Sequence, residues 1–242
     1  MVRPADRELL ELMQQFVCLR IVQMNGVDIG LFQFDYDLTW AALFLNAHEH
    51  IYSRYGGRDS DDAEGRMSLS GLKYTMRLVL EAHRQGEKDK RPAARSPLPV
   101  EKAFPVKGKG CLHCHQVYEG LRKEARRQGT FRTEMLWVYP LPENIGLVLD
   151  IHEGNHVRRV LPNTPAHRAG LQSGDVLITI GNTPIRSQAD CMHALHIAPQ
   201  QGELSIRYRR GSRVHEAVIS LQYGWKKSDS SWRPSLRKEN RP

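Results

Sequence analysis

The stretch Asn163–Ile185 constrains the fold of this chain more than any other part of the sequence. Pro165 follows a threonine, and because proline is favoured at the first position of a helix, a short helix is predicted there. Gly170 and Gly174 supply turn geometry that bulkier residues tolerate poorly. Val176–Ile180 then alternates like a strand, and the Gly-Asn pair after it turns the chain back. This order of helix, turn and strand predicts a small domain that mixes helices and strands.

Similar short patterns surround this stretch on both sides. The predicted strands and the predicted second helix are Met135–Tyr139, Ile145–Ile151, His156–Leu161, Leu204–Tyr208, Val214–Leu221 and Ser187–His196. Over residues 134–221 the sequence resembles PDZ domains, particularly those of bacterial protease-associated and scaffold proteins. The resemblance implies a small β-barrel with two helices. It also implies that the end of a protein chain, or another extended peptide segment, binds as an added strand against the second helix.

The resemblance also implies which residues hold the peptide. The loop whose backbone N–H groups capture the peptide carboxylate in PDZ domains matches Asn144, Ile145, Gly146, Leu147 and Val148. One glycine of the usual glycine-apolar-glycine-apolar turn is missing there, which weakens the case for tight carboxylate capture.

The second helix carries two further candidates for the peptide groove, Met192 and His196. No His/Asp/Ser context for a serine-protease domain precedes this region in the sequence. The sequence therefore predicts a peptide-binding module without an attached protease.

Cys111, Cys114 and His115 form a C-x-x-C-H motif directly before a predicted helix at Gln116–Gln128. This spacing is the attachment pattern of c-type haem. Each thiol can add to one vinyl group of the porphyrin, and the adjacent imidazole can reach the iron as an axial ligand. The motif therefore predicts haem c as a cofactor, with His115 bound to the iron.

Two other interpretations of the motif stay open. In thiol–disulfide exchange Cys111 attacks and Cys114 resolves, because a Cys-x-x-Cys ahead of a helix favours a lowered thiolate pKa. The chain is an enzyme only in this case, as a thiol–disulfide oxidoreductase. In the other interpretation Cys111, Cys114, His113 and His115 supply ligands to zinc, which stabilises a scaffold without redox activity.

The first part of the chain, residues 1–83, has a different pattern. Its predicted elements are a helix at Arg7–Gln15, strands at Phe16–Met24, Thr39–Asn46 and Ile51–Tyr55, and a helix at Ser68–His83. This order resembles the second half of a thioredoxin-like domain. Such a domain needs a C-x-x-C at a helix N-terminus, and none occurs before residue 111, so a degenerate or truncated unit is predicted. Cys18 lies within the first apolar strand and is predicted to be buried.

Charge concentrates in two segments of this basic chain, whose formal net charge is +8. A proline-containing linker at 84–110 has eight Lys or Arg against three Asp or Glu, and a tryptophan-containing tail at 222–242 has six against two. The linker is predicted to be a flexible or extended connector. The tail is predicted to be a cationic extension whose tryptophans either fold back on the domain or touch a partner, and an anionic surface is a possible partner for both segments. The sequence has no specific nucleic-acid motif and no apolar run of about 18 residues that could span a membrane.

The order of segments completes the prediction of an α+β, mixed fold. It consists of the incomplete thioredoxin-like α/β unit, the linker, a short C-x-x-C-H helical segment at 111–133, the PDZ-type barrel and the tail. The stretches FQFDYDLTWAALFLNA and CLHCHQV, together with the PDZ pattern, resemble the thioredoxin-like/PDZ (seleno)protein family. The resemblance implies a redox-associated adaptor outside the cytoplasm, in the periplasm, if the N-terminus is truncated. If Met1 is the true start, the same sequence indicates the cytoplasm.

Overall fold

The computed structural model describes residues 6–58, 62–106 and 110–237 of the 242-residue chain. Parts of the predicted linker (107–109) and of both chain ends (1–5 and 238–242) lie outside the described residues. The helices are α1 Arg7–Met13, α2 Leu69–Arg84, α3 Val100–Ala103, α4 Cys114–Arg127, α5 Pro165–Arg168, α6 Gln188–Ile197 and α7 Pro234–Arg237. The strands are β1 Ala42–Leu45, β2 Ile51–Tyr55, β3 Leu147–Leu149, β4 Val157–Val160, β5 Val176–Ile180, β6 Thr183–Pro184, β7 Gly202–Arg210 and β8 Arg213–Leu221.

The C-terminal half is built on a four-stranded antiparallel sheet in the order β6-β5-β7-β8. Along β7 the side chains of Leu204, Ile206 and Tyr208 are buried and those between them are exposed, as expected for a sheet with one covered face. The β3–β4 pair forms a separate antiparallel ribbon, joined to β5 by a bridge between His156 and Val176. The predicted small β-barrel is therefore not closed, because the described strands of this half divide between the ribbon and the four-stranded sheet.

The predicted strands and helices of this half are largely confirmed. Helix α5 begins after Thr164, whose hydroxyl accepts from His167 N, and has Pro165 at its first turn. The exception is the strand predicted at Met135–Tyr139, which is wrong. The chain forms a single 3₁₀ turn at Thr133–Leu136 instead and then runs across the domain without a partner strand among the described residues.

The N-terminal half consists of the hairpin β1–β2 with helix α2 against it. Ser68 caps α2 by accepting from Gly71 N, as predicted. The strand predicted at Phe16–Met24 is absent, and Val17 is 91% exposed. Cys18 is also exposed, so its predicted burial is wrong. The hairpin is the only sheet among the described residues before 107, so the fold gives no support to a thioredoxin-like unit.

The predicted linker is not a free connector where it is described. Val100 is fully buried and Phe104 is 6% exposed, and both pack in one cluster with Val117 and Tyr118 of α4. The ring of Phe104 lies directly against Gly120, where a Cβ atom would collide with it. The segment is held in place because apolar side chains between its charged residues are buried.

The part of the tail that carries Lys226 and Arg233 folds back on the rest of the chain, and Trp232 within it is buried. Arg233 is 4% exposed and donates to Asp35 at 2.7 Å and to Asp37 at 3.2 Å. Lys226 is 3% exposed and donates to two main-chain carbonyls at the end of α6. These bonds fasten the tail to the N-terminal half and to α6, and the two buried cations are not available to an anionic surface.

Candidate functional site

The candidate peptide site lies where β3 faces the first turns of α6. On one edge β3 pairs with β4, and Gly146 O accepts from Leu161 N just before the strand. On the side facing α6, the side-chain amide of Gln188 donates to Leu149 O at 3.4 Å and to Asp150 O at 3.1 Å. A strand and a helix therefore form two walls, bridged at this end by one glutamine side chain.

The predicted carboxylate loop, Asn144–Val148, adopts a tight turn that a single glycine makes possible. Gly146 has φ +94°, and a Cβ atom there would collide with Thr164, so both backbone and space require glycine. Ile145 and Leu147 on either side are fully buried and anchor the loop in the domain core. The loop therefore lies between two buried apolar anchors.

Asn144, at the start of this loop, is engaged by the tail. Its side-chain amide donates to Trp225 O and Lys227 O, each at 2.8 Å, and its carbonyl oxygen accepts from Ser228 at 3.1 Å. Asn144 therefore holds the tail beside the loop. Its main-chain N–H, one of the groups predicted to hold the peptide carboxylate, donates to Leu141 O at 2.9 Å.

The two groove candidates on α6 are covered by the segment that crosses the domain after residue 136. The ring of Tyr139 stacks on His196, with centroids 4.4 Å apart, and Tyr139 N donates to His196 Nδ1 at 3.3 Å. Met192 is 3% exposed and packs in a small cluster with Tyr139. Met192 and His196, the two candidates on this helix, therefore lie beneath the chain's own aromatic side chain, which covers this face of the helix.

Burial also determines the protonation of the two histidines on this face. Desolvation lowers the pKa of His196 to about 4, and Lys226 and Arg233 nearby act in the same direction. Desolvation likewise lowers the pKa of His193 to about 3. Both imidazoles are therefore neutral near pH 7, which suits His196 to accept the Tyr139 N–H.

Arg66 contributes to the candidate site although nothing in the local sequence indicates it. Its guanidinium donates to Glu143 at 3.1 Å and to Gln188 at 3.4 Å. Glu143 immediately precedes the carboxylate loop and Gln188 begins α6, so one side chain of the N-terminal half links both walls. Only the spatial neighbourhood could reveal this, because 77 and 122 residues separate Arg66 from these partners along the chain.

The C-x-x-C-H motif lies at the start of α4, in the other half of the molecule. Cys114 is the first residue of the helix, whereas Cys111 is exposed and precedes it. Leu112 is buried, and its carbonyl accepts from Met24 N at 2.8 Å. The turn that contains the motif is thus anchored to the N-terminal half by its apolar residue.

The motif does not have the electrostatics predicted for an activated thiol. Cys111, the predicted nucleophile, does not occupy the helix N-terminus, where the dipole would stabilise a thiolate. Cys114 occupies that position, but its partial burial raises the pKa of its thiol. The predicted lowering of a thiolate pKa is therefore wrong for Cys114.

The described surroundings of the motif do not fit a haem. Cys114 packs against a cluster in which Met24, Tyr36, Val117 and Tyr118 contact one another rather than lining a cleft. The rings of His113 and His115 stack in parallel with centroids 6.0 Å apart, beyond this cluster. A haem would need to lie between apolar side chains, but these side chains pack against one another and leave no space for the macrocycle.

The zinc interpretation finds no preformed centre. Within the ranges that the structure describes, no three or more His, Cys, Asp or Glu side chains are grouped so as to hold a metal ion. Cys111, Cys114, His113 and His115 thus do not converge on one point.

Among the residues that the structure describes, no helix combines the length and apolar character needed to cross a membrane.

Comparison with known proteins identifies the C-terminal half. The PDZ domain family model matches residues 144–221, and these residues are therefore a PDZ domain. The chain is 37% identical over 65 residues to the mitochondrial serine protease HTRA2 of Bos taurus and 32% identical over 95 residues to the serine protease HTRA1 of Xenopus laevis. These alignments cover 27% and 39% of this chain.

The chain spans only 14% and 18% of the length of these two curated relatives. Among solved structures, it is similar to the serine endoprotease from Yersinia pestis, with 23% identity and a TM-score of 0.28 over 31% of this chain and 27% of that one. It is also similar to the HtrA3 PDZ domain bound to the phage-derived ligand FGRWV, with 26% identity and a TM-score of 0.25 over 28% and 64%. The matched PDZ domain resembles those of HtrA-type proteases, and these matches lend no support to a thioredoxin-like or selenoprotein assignment.

Proposed function

We propose that the PDZ domain binds the end of a protein chain, or another extended segment, between β3 and α6, and that the chain is an adaptor. The contact between Leu149 O and Gln188 carries this proposal. At 3.4 Å it lies beyond the usual range of N–H···O bonds. The main-chain N–H of an added strand can replace the glutamine amide there with better geometry.

The chemistry of the loop favours a ligand with an apolar final residue. Ile145, Leu147 and Leu195 are all fully buried where the loop meets the end of α6, so this end of the site is apolar. Gly146 N donates within the turn to Glu143 O, so a ligand carboxylate would be held by the N–H groups that follow, beginning with that of Leu147. A free C-terminus that ends in valine combines both features.

Binding of hexapeptides to the full chain tests this proposal. Fluorescence anisotropy would compare a labelled hexapeptide that ends in Val-COOH with the same peptide amidated at its C-terminus and with a scrambled peptide. We expect the free acid to bind best, with a loss of about tenfold or less on amidation because one loop glycine is missing. Hydrogen exchange should slow at Leu147–Leu149. Absence of binding by every peptide, or protection confined to other segments, would refute the proposal.

A second candidate activity, thiol–disulfide exchange, is supported by the exposure of Cys111 three residues before the half-buried Cys114. The Cys111 thiolate would attack a partner disulfide, which forms a mixed disulfide and releases the partner's first thiol. Cys114 would then attack Cys111 Sγ of the mixed disulfide and release the partner's second thiol, which leaves a Cys111–Cys114 disulfide and a reduced partner. Equilibration with glutathione redox buffers, followed by peptide mapping, tests this. A Cys111–Cys114 disulfide that forms reversibly supports it, and two persistently free thiols would exclude it.

A further inference from the structure

Arg66 connects the two walls of the proposed peptide site, and the inference drawn from it rests on the proposed function. Its side chain is 11% exposed and bonds Glu143, which is 31% exposed, on one wall. It bonds Gln188 on the other, and Gln188 in turn contacts Leu149 O. We infer that Arg66 is an intramolecular latch, which keeps the PDZ groove closed until a ligand displaces it.

Two contacts on the groove side of this latch are the longest in the arrangement. The bonds from Arg66 to Gln188 and from Gln188 to Leu149 O are both 3.4 Å long, whereas the bond from Arg66 to Glu143 is 3.1 Å. A ligand strand that takes Leu149 O and also parts Gln188 from Asp150 O, 3.1 Å away, removes one support of the guanidinium. The latch is therefore poised to open at the position where the ligand main chain enters.

The segment around Arg66 is positioned by contacts on either side of it. Ser68, two residues later, donates to Ile151 O at 3.1 Å, just beyond β3. Gly71 lies so close to the same carbonyl that a Cβ atom would collide with it. Gly57 lies beside both Arg66 and Met192 of α6. These contacts bring the N-terminal half against the rim of the PDZ groove and aim Arg66 across it.

The ligand carboxylate is the group that competes best for the latch. Glu143 presents to Arg66 the same chemical group that a chain end carries, and it does so one residue before the carboxylate loop. A free C-terminus that enters the loop therefore meets the cation that Glu143 now holds. An amidated peptide lacks this advantage, because only a charged acceptor forms an equally strong hydrogen bond with a guanidinium.

Two variants of the full chain, with one control, test the latch against the proposed function. Arg66→Ala and Glu143→Gln each remove one side of the ion pair. Arg207→Ala removes a comparable pair with Glu216 on the distant β7–β8 hairpin. We expect Glu143→Gln, which keeps the cation for the ligand carboxylate, to bind the Val-COOH hexapeptide about tenfold more tightly than the unmodified chain, mainly through a faster association rate. Arg66→Ala opens the groove but removes that cation, so we expect its tenfold gain only for the amidated hexapeptide. We expect Arg207→Ala to leave the affinity unchanged.

Hydrogen exchange on the unmodified chain supplies a measurement that does not depend on the variants folding. Saturation with the hexapeptide should accelerate exchange at residues 66–68 while it slows exchange in β3. Equal affinity of all four proteins, or unchanged exchange at 66–68 in the peptide complex, would overturn the latch and leave the proposed function intact. Failure of every protein to bind any peptide would overturn both.

Discussion

The Ser53 hydroxyl donates a 2.6 Å hydrogen bond to Asp190, and both side chains are buried. Ser53 belongs to β2 of the N-terminal hairpin and Asp190 to the first turn of α6 in the PDZ domain. The same carboxylate accepts from Arg54 N at 2.8 Å and from Arg186 N at 3.1 Å. The buried Asp190 carboxylate thus joins two halves that the sequence predicts as separate domains. Its hydrogen-bond donors are one hydroxyl group and two main-chain N–H groups.

Replacement of Asp190 by alanine should therefore uncouple the halves. The change leaves the Ser53 hydroxyl and two main-chain N–H groups without their acceptor, and we expect a loss of about 2–4 kcal/mol in the free energy of unfolding. Ser53→Ala should lower the free energy of unfolding by about 1 kcal/mol, since Asp190 keeps its other donors. Urea denaturation provides the measurement, with Asp229→Ala, an exposed turn carboxylate, as the control. Equal stabilities of D190A and D229A would contradict the interpretation.

The sequence predicts the PDZ half well because its signals are local. Pro165 at a helix start, Gly146 in a loop with positive φ and the alternation along β7 each act within a few residues. The prediction fails where burial depends on a distant partner. Cys18 lies in an apolar stretch but is exposed, because no described strand pairs with that stretch. Arg233 is charged but buried, because its guanidinium bonds Asp35 and Asp37.

Gly120 offers a test of whether the linker docks on α4. In the interior of a helix, replacement of glycine by alanine normally raises the free energy of unfolding by roughly 1 kcal/mol. Here the added methyl group would meet the Phe104 ring, so we expect Gly120→Ala to lower the free energy of unfolding by about 1–3 kcal/mol. Gly110→Ala is the control, because among the described residues no atom beyond its chain neighbours would lie within 4 Å of the added Cβ. A stabilised G120A protein in thermal or urea denaturation would show that Phe104 is not packed there.

The buried histidines of α6 should make stability depend on pH. In the unfolded chain an ordinary imidazole titrates near 6.5, whereas burial lowers the pKa of His196 to about 4 in the folded protein. Below pH 6.5 the unfolded state therefore binds more protons, and the free energy of unfolding falls as pH falls until the folded pKa is reached. Between pH 7 and pH 5, protonation of His196 in the unfolded chain should lower the free energy of unfolding by about 2 kcal/mol.

Replacement of His196 by asparagine measures this contribution. Asparagine retains an acceptor for the Tyr139 N–H but does not titrate, so the loss of stability between pH 7 and pH 5 should shrink by about 2 kcal/mol. His167→Asn, on the exposed surface of α5, should leave the slope unchanged. Parallel urea titrations at the two pH values decide the matter. An identical pH dependence for H196N and the unmodified chain would mean that His196 is not buried behind Tyr139.

The candidate site divides between what local pattern can reveal and what it cannot. The loop around Gly146 is recognisable because its glycine lies between two apolar residues, as in the carboxylate loop of PDZ domains. Arg66 has no such signal, because its role arises from contacts with Glu143 and Gln188 far along the chain. The cover over His196 was equally hidden, since Tyr139 was predicted to lie in a strand and instead stacks on the helix with φ +45°.

The four cysteines should differ sharply in reactivity, which provides a direct check on both halves. Cys18 and Cys111 are exposed, Cys114 is half-buried with its thiol pKa raised by desolvation, and Cys191 is fully buried. Because the thiolate is the reacting form, Ellman's reagent should modify two thiols quickly, Cys114 more slowly and Cys191 only when the protein unfolds. Cys18→Ser and Cys111→Ser should each remove one fast thiol. A slow Cys18 would instead indicate that the stretch around it is paired with another strand in solution.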